Sequence, residues 1–208
     1  MAVALALAGV ALMLYVGWHG TPLPGDLWAT HQVQGWGQLE RNAGIINGAA
    51  WALRFVVAGA VLLVLLGRRI GLRPRAIPSQ REAMAALAAA VVFAIGDNLL
   101  KAIAESPRPS AAFGVRIDSI VSGYGFPSGH VYSDTLFYGL IAVIAPAWLP
   151  SRLIWPARVV CLAIIVLAGP ARIVVGAHWP SDTVGGYLFG GAALCAVLWF
   201  GRWVVDRR

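Results

Sequence analysis

Long apolar runs alternate along the chain with short polar clusters, and most of the runs have the length a bilayer demands. Residues 2–18 form a continuous apolar stretch, at the short end of the roughly 17–25 residues a spanning helix needs. Further runs follow at 49–66, 82–104, 131–149, 159–175 and 183–200. The pattern predicts an all-α fold: a six-transmembrane helix bundle forming one integral-membrane domain over residues 1–208. The first run has no clear basic n-region or small-x-small cleavage site, so it is expected to be retained as a span. Residues 19–48 break the rhythm. There Trp28, Trp36 and Leu39 interleave with His31, Gln32, Gln34, Gln38, Glu40 and Arg41, which suits short interfacial helices lying among lipid headgroups. His19, Asp26, His31 and Glu40 lack a metal-ligand spacing and read as interfacial polar residues.

Composition narrows the class. The chain is 59% hydrophobic and 12% charged, with a mean hydropathy of +0.74, which excludes an ordinary soluble domain. Its net charge of +7 is almost all arginine, since Lys101 is the only lysine. In such a chain the excess marks cytoplasmic loops, and nucleic acid is not an expected partner. Six spans put 67–81, 150–158 and 201–208 on one side, and these hold most of the arginines. Both termini are therefore expected in the cytoplasm. Arg41, Lys101, Arg108, Arg116 and Arg172 fall towards the outer face, with Arg54 near that end of its span. Cys161 and Cys195 lie inside apolar runs and read as packing residues.

Three polar clusters share that outer end. Lys101 and Arg108-Pro109 flank the exit of the third span, and Arg172 lies near the end of the fifth. Cations at membrane depth face a partner or a wet cavity. Phosphate suits all three, because arginine offers forked donors and lysine a compact charge. Pairing of Lys101 with Asp97 and Glu105, or simple snorkelling, is the plainer alternative. Pro127-Ser128-Gly129-His130 reads as the entry to the fourth helix, where unpaired N–H groups favour an anion. There Gly129 admits close approach, Ser128 offers a hydroxyl, and His130 stands by as a general acid. The alternative is a Ser128 N-cap with an interfacial His130. In His178-Trp179-Pro180-Ser181-Asp182, Pro180 suits a helix first turn. The four-residue spacing lets Asp182 hold one ring nitrogen of His178 and leave the other unprotonated. Asp134, one turn beyond His130, is open between orienting that ring, pairing with Arg54 and answering the helix dipole.

Lys101-x6-Arg108-Pro109, Pro127-Ser128-Gly129-His130 and Arg172-x5-His178-x3-Asp182 together resemble the signature of the type 2 phosphatidic acid phosphatases. This lipid phosphate phosphatase superfamily shares its site with vanadium haloperoxidases. The motifs cover residues 101–182. The resemblance implies an integral-membrane hydrolase of lipid phosphates or pyrophosphates, working without metal or other cofactor. His178 would be the nucleophile forming a phosphohistidine, Asp182 its orienter and His130 the acid and base. Lys101, Arg108, Ser128, Gly129 and Arg172 would hold the phosphoryl oxygens. One departure stands out: the third motif usually opens Ser-Arg, and here it is Ala171-Arg172, so one hydroxyl donor is missing.

Size and resemblance point first to a bacterial plasma-membrane enzyme that recycles undecaprenyl pyrophosphate with its site on the outer face. A phosphatidylglycerophosphate or phosphatidate phosphatase, or a lipid phosphotransferase, is the alternative within the class. A non-catalytic lipid-binding or lipid-flipping protein is the alternative outside it, but binding alone would need neither histidine. Haloperoxidase chemistry is not expected of a chain so apolar.

Overall fold

The computed structural model describes residues 1–48, 80–119 and 121–206. It contains α1 (Ala2–His19), α2 (Asp26–Gln34), α3 (Gln80–Ala104), α4 (Gly129–Trp148), α5 (Ser151–Val174) and α6 (Pro180–Asp206), with a 3-10 turn at Ala111–Phe113. Residues 37–48 are also helical, and no strand occurs among the described residues. The expected second span, 49–66, lies outside them, as does nearly all of the arginine-rich loop. Three of the helices are long and apolar enough to cross a bilayer: Ala2–His19, Ser151–Val174 and Pro180–Gly201.

Local chemistry sets the ends. Gly20 closes α1 at φ 72° and returns its N–H to the Val16 carbonyl. Glu105, at φ 45°, turns the chain out of α3 ahead of Pro107. Extended backbone at Ser128 and at Pro150 precedes α4 and α5, and α6 opens on Pro180, whose missing N–H costs nothing in a first turn.

Two boundaries differ from the sequence reading. Residues 151–158 are not a loop but the first two turns of α5, and 201–206 continue α6. Arg152 and Arg158 suggested a loop, yet long basic side chains ride on a helix end while their heads reach water or a neighbour. Arg158 does so, donating from Nε to the Ala142 carbonyl of α4 at 3.1 Å.

α6 is the central element, packed against α1, α3 and α4, while α4 also packs on α5. Met13 and Val16 of α1, Ala89 of α3, Leu136 and Leu140 of α4, and Phe189, Ala193 and Val197 of α6 form the main core, with Phe126 from the segment before α4. Gly186 and Gly190 let α6 press onto α4. A Cβ at Gly190 would stand 2.7 Å from the Tyr132 carbonyl oxygen, and one at Gly186 2.9 Å from that of Ser128. This glycine pair therefore serves packing within the bundle, as expected of small residues at a membrane helix seam. Outside the core, Leu7, Leu14, Ile95, Leu99, Val160 and Leu162 are exposed, a surface suited to lipid tails.

Candidate active site

The close α4–α6 seam brings the starts of both helices to one end of the bundle, where segments 105–128 and 175–179 also meet. Asp182 sits in the first turn of α6. Its Oδ2 accepts the Trp179 N–H at 3.0 Å and lies 3.3 Å from Nδ1 of His178. On the far side of the ring, Arg108 Nη1 lies 3.1 Å from Nε2. A guanidinium has donors only, so Nε2 must be the acceptor and Nδ1 carries the proton. The ring is thereby fixed as one neutral tautomer, with its lone pair on the nitrogen facing away from Asp182. Burial is the main cause holding the His178 pKa well below the usual value near 6.5, and the charges of Arg108, Arg172 and Lys101 push it the same way.

Arg108 is placed by two further bonds, from Nε to Gly123 O at 2.9 Å and from Nη1 to Ala177 O at 2.8 Å. It ties the loop after α3 to the segment before α6. Lys101 pairs with Asp97 one turn back at 2.7 Å, as the plainer reading of the sequence anticipated. That pair lies directly against the start of α4: a Cβ on Gly129 would stand 2.8 Å from Asp97 Oδ1 and 2.9 Å from Lys101 Nζ. A larger residue here would have to displace the ends of both side chains.

Ser128 occupies the N-cap position of α4, yet its side chain makes no capping bond. Its N–H donates to the Asp182 carbonyl at 2.9 Å, joining the two helix starts. Its hydroxyl is fully buried and has no hydrogen-bond partner among the described residues. The next N–H groups, of Gly129, His130 and Val131, lie in the first turn, where no intrahelical acceptor exists. His130 is half-buried on that turn.

Arg172 arrives from α5, is 6% exposed, and leaves Nε unpartnered among the described residues. Pro170, two residues earlier, removes the amide that would bond the Val166 carbonyl. Tyr187 of α6 takes over: its hydroxyl accepts the Gly169 N–H at 3.0 Å and lies 2.9 Å and 3.1 Å from the carbonyls of Ile165 and Val166. The break that aims Arg172 is thus satisfied by a single side chain. Asp134, left open by the sequence, is buried close enough to Arg172 for their charges to interact. Arg54, its other suggested partner, lies outside the described residues. Ala171 is fully buried in a small apolar cluster with Ala43 and Val174.

Two anchors escaped the sequence reading. Asp26 and Gln34 looked like headgroup-facing polar residues, but Asp26 is buried against Ser181. Gln34 exchanges amide bonds with Arg116, from Nε2 to Arg116 O at 2.8 Å and from Arg116 N to Oε1 at 3.0 Å. Their partners lie 155 and 82 residues away, and no local pattern announces such pairings.

Fold and site together define a helical membrane protein with a cationic, donor-rich cluster at one end of its bundle. The chain belongs to the PAP2 superfamily, whose model matches residues 82–206. A lipid A 1-phosphatase of Rhizobium etli is 33% identical over 100 residues, and one of Rhizobium johnstonii 33% over 99. Each match covers 45% of this chain, but only 39% and 37% of the relatives' length. The fold is that of a PAP2-type phosphatidylglycerolphosphate phosphatase from Bacillus subtilis, with a TM-score of 0.76 at 20% identity over 98% of this chain and 96% of the other.

Proposed function

We propose that the protein is a metal-independent lipid phosphatase acting through a phosphohistidine. The observation that carries this reading is the pairing of a lone-pair nitrogen with idle donors. His178 Nε2 is unprotonated, while Ser128 Oγ and Arg172 Nε are buried and unpartnered among the described residues. Buried polar groups are normally paired, and a phosphoryl group would supply the missing acceptor for both donors.

In the first step Nε2 attacks phosphorus, the bond to the leaving oxygen breaks, and His130 gives that oxygen its proton. In the second, His130 takes a proton from water, the resulting hydroxide displaces His178, and inorganic phosphate leaves. Asp182 keeps the proton on Nδ1 and stabilises the charge that develops on the ring. Lys101, Arg108, Arg172, Ser128 and the Gly129 N–H hold the phosphoryl oxygens as charge redistributes. Arg108, whose Nη1 lies 3.1 Å from Nε2, transfers that bond to a phosphoryl oxygen when substrate enters.

The substrate is a membrane lipid with a terminal phosphate, its headgroup at the interface and its tail in the bilayer. Undecaprenyl pyrophosphate is the first choice, on family resemblance and small size. The Rhizobium relatives favour a second, a lipid A 1-phosphate. The proposed setting is a single domain of six spans in a bacterial plasma membrane, with the site on the outer face and both termini in the cytoplasm. The arginine distribution supports this orientation.

Purified protein in detergent, given a panel of both lipids plus phosphatidylglycerophosphate and phosphatidate, tests the proposal. Phosphate release is expected to persist in EDTA and to disappear in His178→Ala. Ser128→Ala is expected to lower kcat/KM at least about tenfold, the loss of one hydrogen bond to a charged group. Full activity in His178→Ala would refute the mechanism, as would a strict magnesium requirement.

A further inference from the structure

α6 opens without the side-chain acceptor that a helix start usually carries. Trp179 precedes its first turn, and an indole only donates. Asp182, the third residue of the helix, reaches back to the Trp179 N–H at 3.0 Å, which is one half of a capping box. The other half comes from the beginning of the chain. Asp26, the first residue of α2, accepts the Ser181 N–H on Oδ1 at 2.9 Å. Its Oδ2 accepts the Ser181 hydroxyl at 2.8 Å and the Leu23 N–H at 2.8 Å.

The Asp26 residue is only 4% exposed, so its desolvation is offset only while those donors stay in place. Burial pushes its pKa up, and the bonds from Ser181 and Leu23 pull it back. Ser181 adjoins Asp182, whose Oδ2 contacts both Trp179 N and His178 Nδ1. Any shift of Ser181 is passed through one peptide unit to the group that orients the nucleophile.

We propose that Asp26 is a positioning residue: it caps α6 from a distant part of the chain and fixes the geometry in which Asp182 presents His178 to phosphorus. The proposal rests on the reading of His178 as nucleophile. Asp26 acts chiefly on the chemical step, because its own hydrogen bonds go to Ser181 and Leu23 and none goes to Lys101, Arg108 or Arg172.

The test is steady-state kinetics of the full chain in detergent, on whichever panel lipid the wild type hydrolyses. Asp26→Ala is expected to lower kcat about 30- to 100-fold with KM changed less than about threefold, the scale on which small misplacements act. Asp26→Asn keeps an acceptor for the Ser181 N–H and should recover to within about fivefold of wild type. Ser181→Ala, which removes only the hydroxyl arm, should fall between wild type and Asp26→Ala. An Asp26→Ala protein with wild-type kcat overturns the proposal, as does a rise in KM alone or an Asn variant no better than Ala. Should Asp26→Ala not fold, Ser181→Ala at wild-type kcat overturns it equally. An inactive wild type, or an active His178→Ala, instead overturns the phosphatase reading on which the proposal rests.

Discussion

His178 has Asp182 on one ring nitrogen and Arg108 on the other, and these partners decide which nitrogen keeps a lone pair. Asp182 accepts the hydrogen bond from Nδ1–H, and Arg108 leaves Nε2 no role but acceptor. The pKa direction follows from the same surroundings, since a buried imidazole among three cations resists a further positive charge. Because the shift is downward, His178 is still neutral at pH 6.5, where an ordinary histidine would be half protonated. The acid limb of kcat/KM is therefore expected below 6.5, and removing one cation with Arg108→Gln should move it upward in the residual activity. A limb at or above 6.5 in the wild type would contradict the assignment. Stability carries the same sign: below pH 6.5 the unfolded chain takes a proton that the folded site refuses, so acidification weakens the fold.

Among the elements, the α5–α6 junction shows how a membrane helix tolerates a proline. Pro170 breaks the ladder just where Arg172 must turn inward, and Tyr187 satisfies the freed backbone groups. Tyr187→Phe keeps the ring and removes the hydroxyl, leaving polar backbone groups of residues 165–169 without it. Thermal unfolding in detergent is expected to show a loss of about 1–3 kcal/mol; an unchanged midpoint would mean the helix re-satisfies those groups by itself. The starts of α4 and α6 were legible in the sequence because proline, serine and glycine punctuate helices through local backbone chemistry. The start of α5 was misread because Arg152 and Arg158 resemble loop residues until a neighbouring helix, here at Ala142, offers the charge a resting place. Asp26 and Tyr187 were illegible for a different reason. Each acts on a partner fixed only by packing, and no spacing rule reaches 155 positions.

For the whole molecule, the proposed chemistry lies at one end of the bundle, and the arginine distribution suggests which side of the membrane that end faces. Single cysteines at exposed Ala111 and Ser151, in a chain with Cys161 and Cys195 replaced by alanine, test it with a membrane-impermeant maleimide. Ala111→Cys is expected to label in intact cells and Ser151→Cys only after permeabilisation. The reverse pattern would turn the protein over and place the site in the cytoplasm. The clusters predicted to gather there do gather: Arg108 touches His178, Ser128 touches Asp182, and Gly129 lies against Lys101. The order of the runs foretold that the clusters would share one end, and spacing that Asp182 would reach His178, but neither foretold that Arg108 would cover Nε2.

The bond between Asp26 and Ser181 also has a consequence in time. Ribosomes add about 5–20 residues per second, so Ser181 emerges on the order of ten seconds after the carboxylate that holds it. For nearly all of that interval α2 has no α6 to seize, and no histidine has yet been made at position 178. Synthesis itself therefore delays the site: the His178–Asp182 pair gains its distant anchor only once the start of α6 has been made and has met α2.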